Sequence, residues 1–301
     1  MNGYAAAAVA VLIWAAYPVA TRAAVTGPFT AQELVTLRFG VAGLLFAPYL
    51  ALHWRSIGRA VWLRGLPLTL FQGAGMGALV ICGLQFAPAT HQAALGPGVS
   101  PVWVALLGLL VLARRPSARA LIGGALCAGG VAALAAWSAA APSAAILVGD
   151  TMFLAASALG ALYVLQLRNW GIGVMQGAAI VSLYSALVVV PWHLWSTPEL
   201  ALTRVPAGEL LWQVLWQGVL IGCVSLIALN QAILRLGSER SSAFVALVPV
   251  LTAILALAFL GETPSPVELA SFVVISAGVS IAALPGKPLF RPAARQLATP
   301  P

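Results

Sequence analysis

The sequence predicts an all-α integral membrane protein with ten transmembrane helices, arranged as two inverted five-helix repeats. Three observations predict it. Of 301 residues, 61% are hydrophobic and 7% charged, with mean hydropathy +1.00. A soluble domain carries about 25% charged residues, so this chain could not cover a soluble surface. Apolar runs near the length of about 20 residues that a spanning helix needs follow one another from residue 3 to 284 with short connections. Finally, features recur at a fixed offset. Pro101 and Pro249, Pro116 and Pro264, and Gly130 and Gly278 are each 148 residues apart, the mark of an internal duplication.

Taken in order, the first run (3–21) lacks the basic start of a signal peptide, and no soluble chain follows it, so it reads as a helix. The second (31–52) carries Arg38 well inside it, and the third (66–84) carries Gln72-Gly73 with Gly77. Such small-residue spacing lets helix backbones approach closely in lipid. The fourth (92–112) is the most broken, through Gly96-Pro97-Gly98-Val99-Ser100-Pro101. Proline removes a backbone hydrogen bond, which lipid tolerates only where other groups or water satisfy the freed carbonyls. Arg114-Arg115-Pro116 then turns the chain into the fifth run (118–137).

The sixth (146–167) and seventh (171–195) repeat features of the first two: Gly3, Tyr17 and Arg22 recur as Gly149, Tyr163 and Arg168, and Pro48 recurs as Pro191. The eighth (210–234) repeats the third, with Gln217-Gly218 and Gly222. The ninth (241–260) carries Pro249 near its middle, and Gly261-Glu262-Thr263-Pro264 turns it into the tenth (267–284). The expected organisation is a first repeat over 1–140, a second over 141–285, and a basic, proline-rich, disordered tail over 286–301.

Five helices per repeat is an odd number, which forces the second repeat to run inverted. The basic residues give the orientation. With the N-terminus cytoplasmic, Arg55, Arg59, Arg64, Arg114, Arg115, Arg119, Arg168, Arg235, Arg240, Lys287, Arg291 and Arg295 lie inside, and Arg22 and Arg204 lie outside. Both termini are then cytoplasmic. The net charge of +8 reports this orientation and does not imply a nucleic-acid partner. Cys82, Cys127 and Cys223 all sit in apolar runs, an odd and buried set that argues against a disulfide framework.

Inverted repeats place a substrate site at the bilayer midplane, beside broken helices, which puts Ser100 and Trp103 near the pathway. The polar inventory of the helices is thin and mostly uncharged. Gln72, Gln217, Tyr17, Tyr163 and Asn230, beside Trp14, Met76 and Trp103, suit a zwitterion with an apolar side chain. The alternative for each amide is an interhelical hydrogen bond. Arg38 lies roughly 10 Å below the external end at 1.5 Å per residue, and intramembrane charges are usually paired. Asp150 is the nearest acidic candidate by depth. Glu33, Asp150, Glu262, Glu268, His91 and His193 fall near helix ends, leaving no carboxylate clearly at the midplane. A facilitator is therefore at least as well supported as a proton-coupled carrier.

Enzyme chemistry finds no footing. The sole lysine, Lys287, lies in the tail, so no phosphate-binding loop exists. Nothing resembles a magnesium-holding acidic motif, a nucleophile elbow or zinc-ligand spacing. No cofactor and no metal is expected. The competing reading from another class is a membrane-embedded enzyme or scaffold without transport, and the duplication and the broken fourth run favour a transporter.

Ten helices, inverted halves and Gly261-Glu262-Thr263-Pro264 after a proline-containing helix together resemble the drug/metabolite transporter superfamily. Within it the chain resembles an EamA-type ten-helix exporter. Leu37-Arg38-Phe39, and Leu247-Val248-Pro249-Val250 leading to Leu260-Gly261-Glu262, are similar to that family's recurring patterns. The first-half turn departs from it, with Ala113-Arg114-Arg115 where Gly-Glu-Arg is common. The resemblance implies a bacterial inner-membrane exporter of amino acids and related metabolites, working by alternating access. The Trp- and Met-rich pathway fits the branch that carries aromatic and other neutral amino acids. A drug or nucleotide-sugar carrier of the same superfamily is the alternative. On the same basis Trp14, Tyr17, Gln72, Met76, Leu79, Ser100, Trp103, Tyr163, Gln217 and Asn230 are expected to line the cavity. Arg38, Pro97, Pro101 and Pro249 are expected in structural or gating roles. A small-molecule substrate and the bilayer are the expected partners, and a monomer suffices.

Overall fold

The fold was analysed in a computed structural model, which describes residues 2–112, 117–140, 145–196, 204–225, 227–229, 231–232, 235–236, 244–245 and 247–284. Asn230, the Arg114-Arg115-Pro116 turn, Arg240, the side chain of Pro101 and the tail with Lys287, Arg291 and Arg295 lie outside the described residues. The elements are helices: α1 (Gly3–Val25), α2 (Ala31–His53), α3 (Arg59–Gln72), α4 (Ala74–Phe86), α5 (Ala89–Leu95), α6 (Ser100–Leu112), α7 (Ala118–Ala140), α8 (Ala145–Asn169), α9 (Val174–Ser196), α10 (Ala207–Gln213, continuing as a π-helix over Val214–Val224), α11 (Val248–Leu260) and α12 (Pro266–Ala283).

Seven helical segments among the described residues are long and apolar enough to cross a membrane, and shorter apolar helices cover Val102–Val111, Val248–Leu260 and Pro266–Ala282. Their outer faces carry Leu44, Leu52, Leu110 and Phe259, each at least 70% exposed. Such faces would be a liability in water and match lipid. The chain is a multi-pass, all-helical membrane protein.

Helix starts and stops follow from local chemistry. Thr30 and Glu33 form a reciprocal capping box at α2, and Ser265 and Glu268 form one at α12. Gly261 ends α11 at φ 66°, a left-handed conformation that glycine adopts without a Cβ penalty. The expected turn at Gly261-Glu262-Thr263-Pro264 therefore exists.

Two helix pairs run antiparallel in close contact. In α7 and α12, a methyl group added to Gly123 would lie 2.8 Å from Ala282 Cβ, one on Gly130 would lie 2.7 Å from Ile275, and one on Gly278 would lie 2.6 Å from the Gly123 carbonyl. Cys127 Sγ between them is 3.5 Å from the Ile275 carbonyl oxygen. In α2 and α9, a methyl on Gly43 would lie 2.9 Å from Ala186, and Gln32 donates to Ser196 Oγ at 2.6 Å.

Three spans depart from a straight helix. The third run was expected as one continuous helix from residue 66. It begins earlier, at Arg59, and is broken at Gly73 (φ −91°, ψ −132°). Ser185 Oγ of α9 accepts from the Ala74 N–H at 3.0 Å, satisfying a donor that the break frees. The equivalent stretch around Gly218 is π-helical, another interruption of the regular ladder. The expected break in the fourth run separates α5 from α6, and Ser157 Oγ satisfies the Gly96 carbonyl at 2.7 Å. Pro249 was expected inside its helix. It occupies the first turn of α11, where its missing N–H costs nothing. α6 opens at Ser100 and α11 at Val248, each one residue before the paired prolines Pro101 and Pro249.

Candidate functional site

The carboxylates of the described residues gather at one end of the bundle, where the N-termini of α2, α5, α8, α10 and α12 meet the C-termini of α1, α4, α7, α9 and α11. There Arg22 of α1 forms an ion pair with Glu262 in the α11–α12 turn. The same guanidinium donates to the carbonyls of Leu84 (2.8 Å) and Ala87, and Glu262 accepts from the Ala89 N–H at 3.1 Å. Burial pushes the Glu262 carboxyl above its ordinary range, and the Arg22 guanidinium and the Ala89 N–H pull against that.

His91 of α5, 1% exposed, sits between two carboxylates. Its Nδ1 is 2.8 Å from Asp150 Oδ1 and its Nε2 is 2.8 Å from Glu268 Oε1. Ser138 Oγ of α7 donates to Asp150 Oδ2 at 2.8 Å. Arg204 pairs with Glu33, which also accepts from the Thr30 N–H at 2.8 Å. The four ion pairs between described residues all lie at this end, and each joins a residue before position 140 to one after it. Both arginines that the sequence put on the outer side, Arg22 and Arg204, are consumed in these pairs.

The opposite end is the basic one. Arg55 lies 5.3 Å from the Trp54 ring centre and Arg64 5.5 Å from that of Trp170, contacts a cation makes with an aromatic face.

Between the two ends lie the residues expected to line a pathway. Gln72, Met76 and Gly160 come together: a Cβ on Gly160 would be 3.6 Å from Gln72 Oε1 and 3.8 Å from Met76 Sδ. Trp14 packs with Val11, Ala15, Ala93 and Val248. Leu79 and Trp103 are half-buried against the main core, and Trp103 Nε1 has no acceptor among the described residues. Ser100 opens α6 at the helix break, beside Pro97 and Pro101.

Two of the expected residues sit in closed surroundings. Gln217, fully buried, donates to Thr21 Oγ1 at 2.9 Å and locks the π-helical stretch to α1. Tyr163 is enclosed by Leu68, Leu167, Ile172 and Val181. The expected Arg38–Asp150 pairing does not occur, because His91 and Ser138 take Asp150. Arg38 Nη1 donates to Tyr17 OH at 2.7 Å instead, and its guanidinium lies 5.2 and 5.5 Å from the ring centres of Tyr17 and Phe39.

The ionic end was not anticipated as a unit. The two capping boxes, Thr30-x-x-Glu33 and Ser265-x-x-Glu268, were signals that these glutamates stand at helix starts on one side. Which basic group each would meet is a tertiary matter.

The profile of the EamA-like transporter family matches the sequence twice, over residues 1–136 and 147–284. The chain belongs to the EamA-like transporter family. It is a membrane transporter of the drug/metabolite superfamily. A solved crystal structure shares the fold of this EamA-like transporter at TM-score 0.60 and 18% identity, over 93% of this chain and 96% of that one. No curated protein matches the sequence.

Proposed function

We infer that this transporter exports small metabolites, neutral and aromatic amino acids foremost, by alternating access. It spans the bacterial inner membrane ten times as two inverted repeats, residues 1–140 and 141–285, with the basic end and both termini in the cytoplasm. The observation that carries the reading is the division of polar groups between the ends. Every ion pair between described residues joins the two halves of the chain at one end, the end this reading assigns to the outside. That pattern suits a transporter closed to the outside and loaded from the cytoplasm.

The antiparallel packing of α7 on α12 and of α2 on α9 supports the inversion, since each pair consists of equivalent helices. Helix breaks at Gly73 and at 96–99 support a pathway between them, because interrupted backbone at membrane depth is tolerated where it is buried in protein or lines a cavity. The substrate class is supported by uncharged Gln72, by the Trp103 indole N–H, and by Arg38, which has no carboxylate beside it among the described residues. These groups suit the carboxylate and apolar side chain of a neutral amino acid. A monomer holds both halves of the pathway.

The test is flux of labelled neutral amino acids from proteoliposomes, with the folded state checked separately. Saturable flux of aromatic or other neutral amino acids supports the reading. Folded protein that carries none of them but carries a cationic drug or a nucleotide sugar would overturn the substrate class. No flux of any solute would overturn transport.

A further inference from the structure

Away from Gln72, Met76 and Trp103, the chain buries a set of titratable side chains that moving a neutral solute does not require. His91, Asp150 and Ser138 are 1%, 4% and 1% exposed, and the Glu268 side chain is 14% exposed. They come from α5, α8, α7 and α12, which makes this the meeting point of four helices.

Hydrogen-bond accounting fixes how many protons the set holds. A carboxylate oxygen only accepts, and a neutral imidazole has one N–H. Both ring nitrogens lie 2.8 Å from carboxylate oxygens, so each contact needs its own proton. The attraction of two carboxylates places both on the ring, as an imidazolium. If the partners separate into water, an imidazole with an ordinary value near 6.5 and two carboxylates near 4 hold one proton in all above about pH 7. The assembled cluster therefore carries one proton more than its separated parts.

The surroundings keep that proton in place. Asp150 faces the ring from α8 and Glu268 from α12. Glu262 of the neighbouring turn is the next acidic group, and Arg22 of α1 is already paired with it. α4 and α11, which also pack on α5, contribute no charged side chain. With the proton bound, ring and two carboxylates sum to one negative charge, and without it to two. Burying the second would be costly, since an unpaired buried charge is strongly disfavoured. His91 belongs to the first repeat and both carboxylates to the second, so opening this end would pull the cluster apart.

We propose that His91, Asp150 and Glu268 form a proton-binding site at the external end: closure of that end takes up one proton, and opening releases it. The proposal rests on the alternating-access reading above and extends it, because it makes the proton a second ligand of the transport cycle. By linkage, the closed-to-open ratio then falls up to tenfold per pH unit above the ordinary imidazole range.

The test uses the full chain in lipid nanodiscs with ¹⁵N-labelled histidine. The sequence has three histidines, and His91→Gln assigns one of them. At about pH 8, well above the ordinary imidazole value, the expected His91 spectrum shows both ring nitrogens protonated. A singly protonated His91 ring there overturns the proposal. A second readout is efflux of a labelled neutral amino acid against external pH. The wild type is expected to speed up several-fold as external pH rises through about 7, and Glu268→Gln is expected to flatten that profile. A wild-type profile that is already flat also overturns the proposal. No efflux at any pH, with the doubly protonated ring present, would overturn the transport reading and leave the proton site standing.

Discussion

Cys127 Sγ lies 3.5 Å from the carbonyl oxygen of Ile275, and the two residues are 148 positions apart, the same separation that relates Pro101 to Pro249. In two repeats related by a two-fold axis, equivalent residues touch where that axis passes between them. The contacts to either side obey the same relation. Gly130 meets Ser271 and Gly278 meets Gly123, and the offset exchanges one contact for the other. Gly43 and Ala186, 143 residues apart like Pro48 and Pro191, touch in the α2–α9 pair. Both contacts are what the inverted-repeat reading requires.

The α7–α12 seam should therefore be intolerant of volume. A Cβ on Gly278 would stand 2.6 Å from one carbonyl oxygen and 2.7 Å from Cys127 Sγ, so the helices must separate to admit it. Gly278→Leu is expected to destabilise the protein by about 1–3 kcal/mol, the usual cost of overpacking. Gly124→Leu, on the partner helix α7 but with open space at its Cβ, is expected to be neutral. Thermal midpoints of the two variants in one detergent check the contrast. Equal midpoints would remove the seam.

Arg22 joins three groups at once: the Glu262 carboxylate and two carbonyls at the end of α4. A planar guanidinium can fork between such partners and an ammonium cannot. Arg22→Ala and Arg22→Lys are both expected to loosen this end of the bundle, at a cost of about 1–3 kcal/mol for the partners left unpaired. The measurement is the labelling rate of a cysteine introduced just below Ala89, with impermeant reagent added on the side of the membrane that this end faces. A rate unchanged from wild type in both variants would mean that Arg22 does not hold this end.

The helices, the duplication and the broken fourth span were legible because they are local or periodic. Apolar run length, proline, glycine and a constant offset all survive without knowledge of contacts. The break at Gly73 was harder to read. Gln72-Gly73 was recognised as a close-packing motif, but the bend depends on Ser185, 111 residues away, accepting the freed N–H. The ionic end was illegible for the same reason. Glu33, Asp150, Glu262 and Glu268 looked like unremarkable helix-end residues, and only folding brings Arg204, His91 and Arg22 to them. Arg38 was assigned the wrong partner because depth alone cannot distinguish Asp150 from Tyr17.

The repeat pairs Gln72 with Gln217, yet the two amides sit in different surroundings. Gln217 is fully buried and committed to Thr21, whereas Gln72 is half-exposed near Gly160 and Met76. Gln217→Leu is expected to lower stability by about 1 kcal/mol, the scale of an interhelical hydrogen bond in a membrane, with KM unchanged. Gln72→Leu is expected to leave stability unchanged and raise KM several-fold. Melting curves and flux kinetics on both variants separate the roles. The reverse pattern would exchange their assignments.

Trp103 gives the sharpest probe of the proposed interior site. Its ring is half-buried beside the α5–α6 break, and its N–H has no acceptor among the described residues. An indole that only fills space would lose little when replaced by another aromatic ring. One that donates to substrate would lose a hydrogen bond, about 0.5–1.5 kcal/mol for a neutral acceptor and about 1.5–3 kcal/mol for a carboxylate. Trp103→Phe is therefore expected to raise KM by roughly tenfold for an amino acid, at about 1.4 kcal/mol per decade. The same variant should leave KM unchanged for the decarboxylated amine if the N–H serves the carboxylate. Equal losses for both substrates would assign Trp103 to the side-chain pocket, and no loss for either would take it out of the site. Trp103→Ala, which also removes the ring, is expected to impair flux further with folding intact.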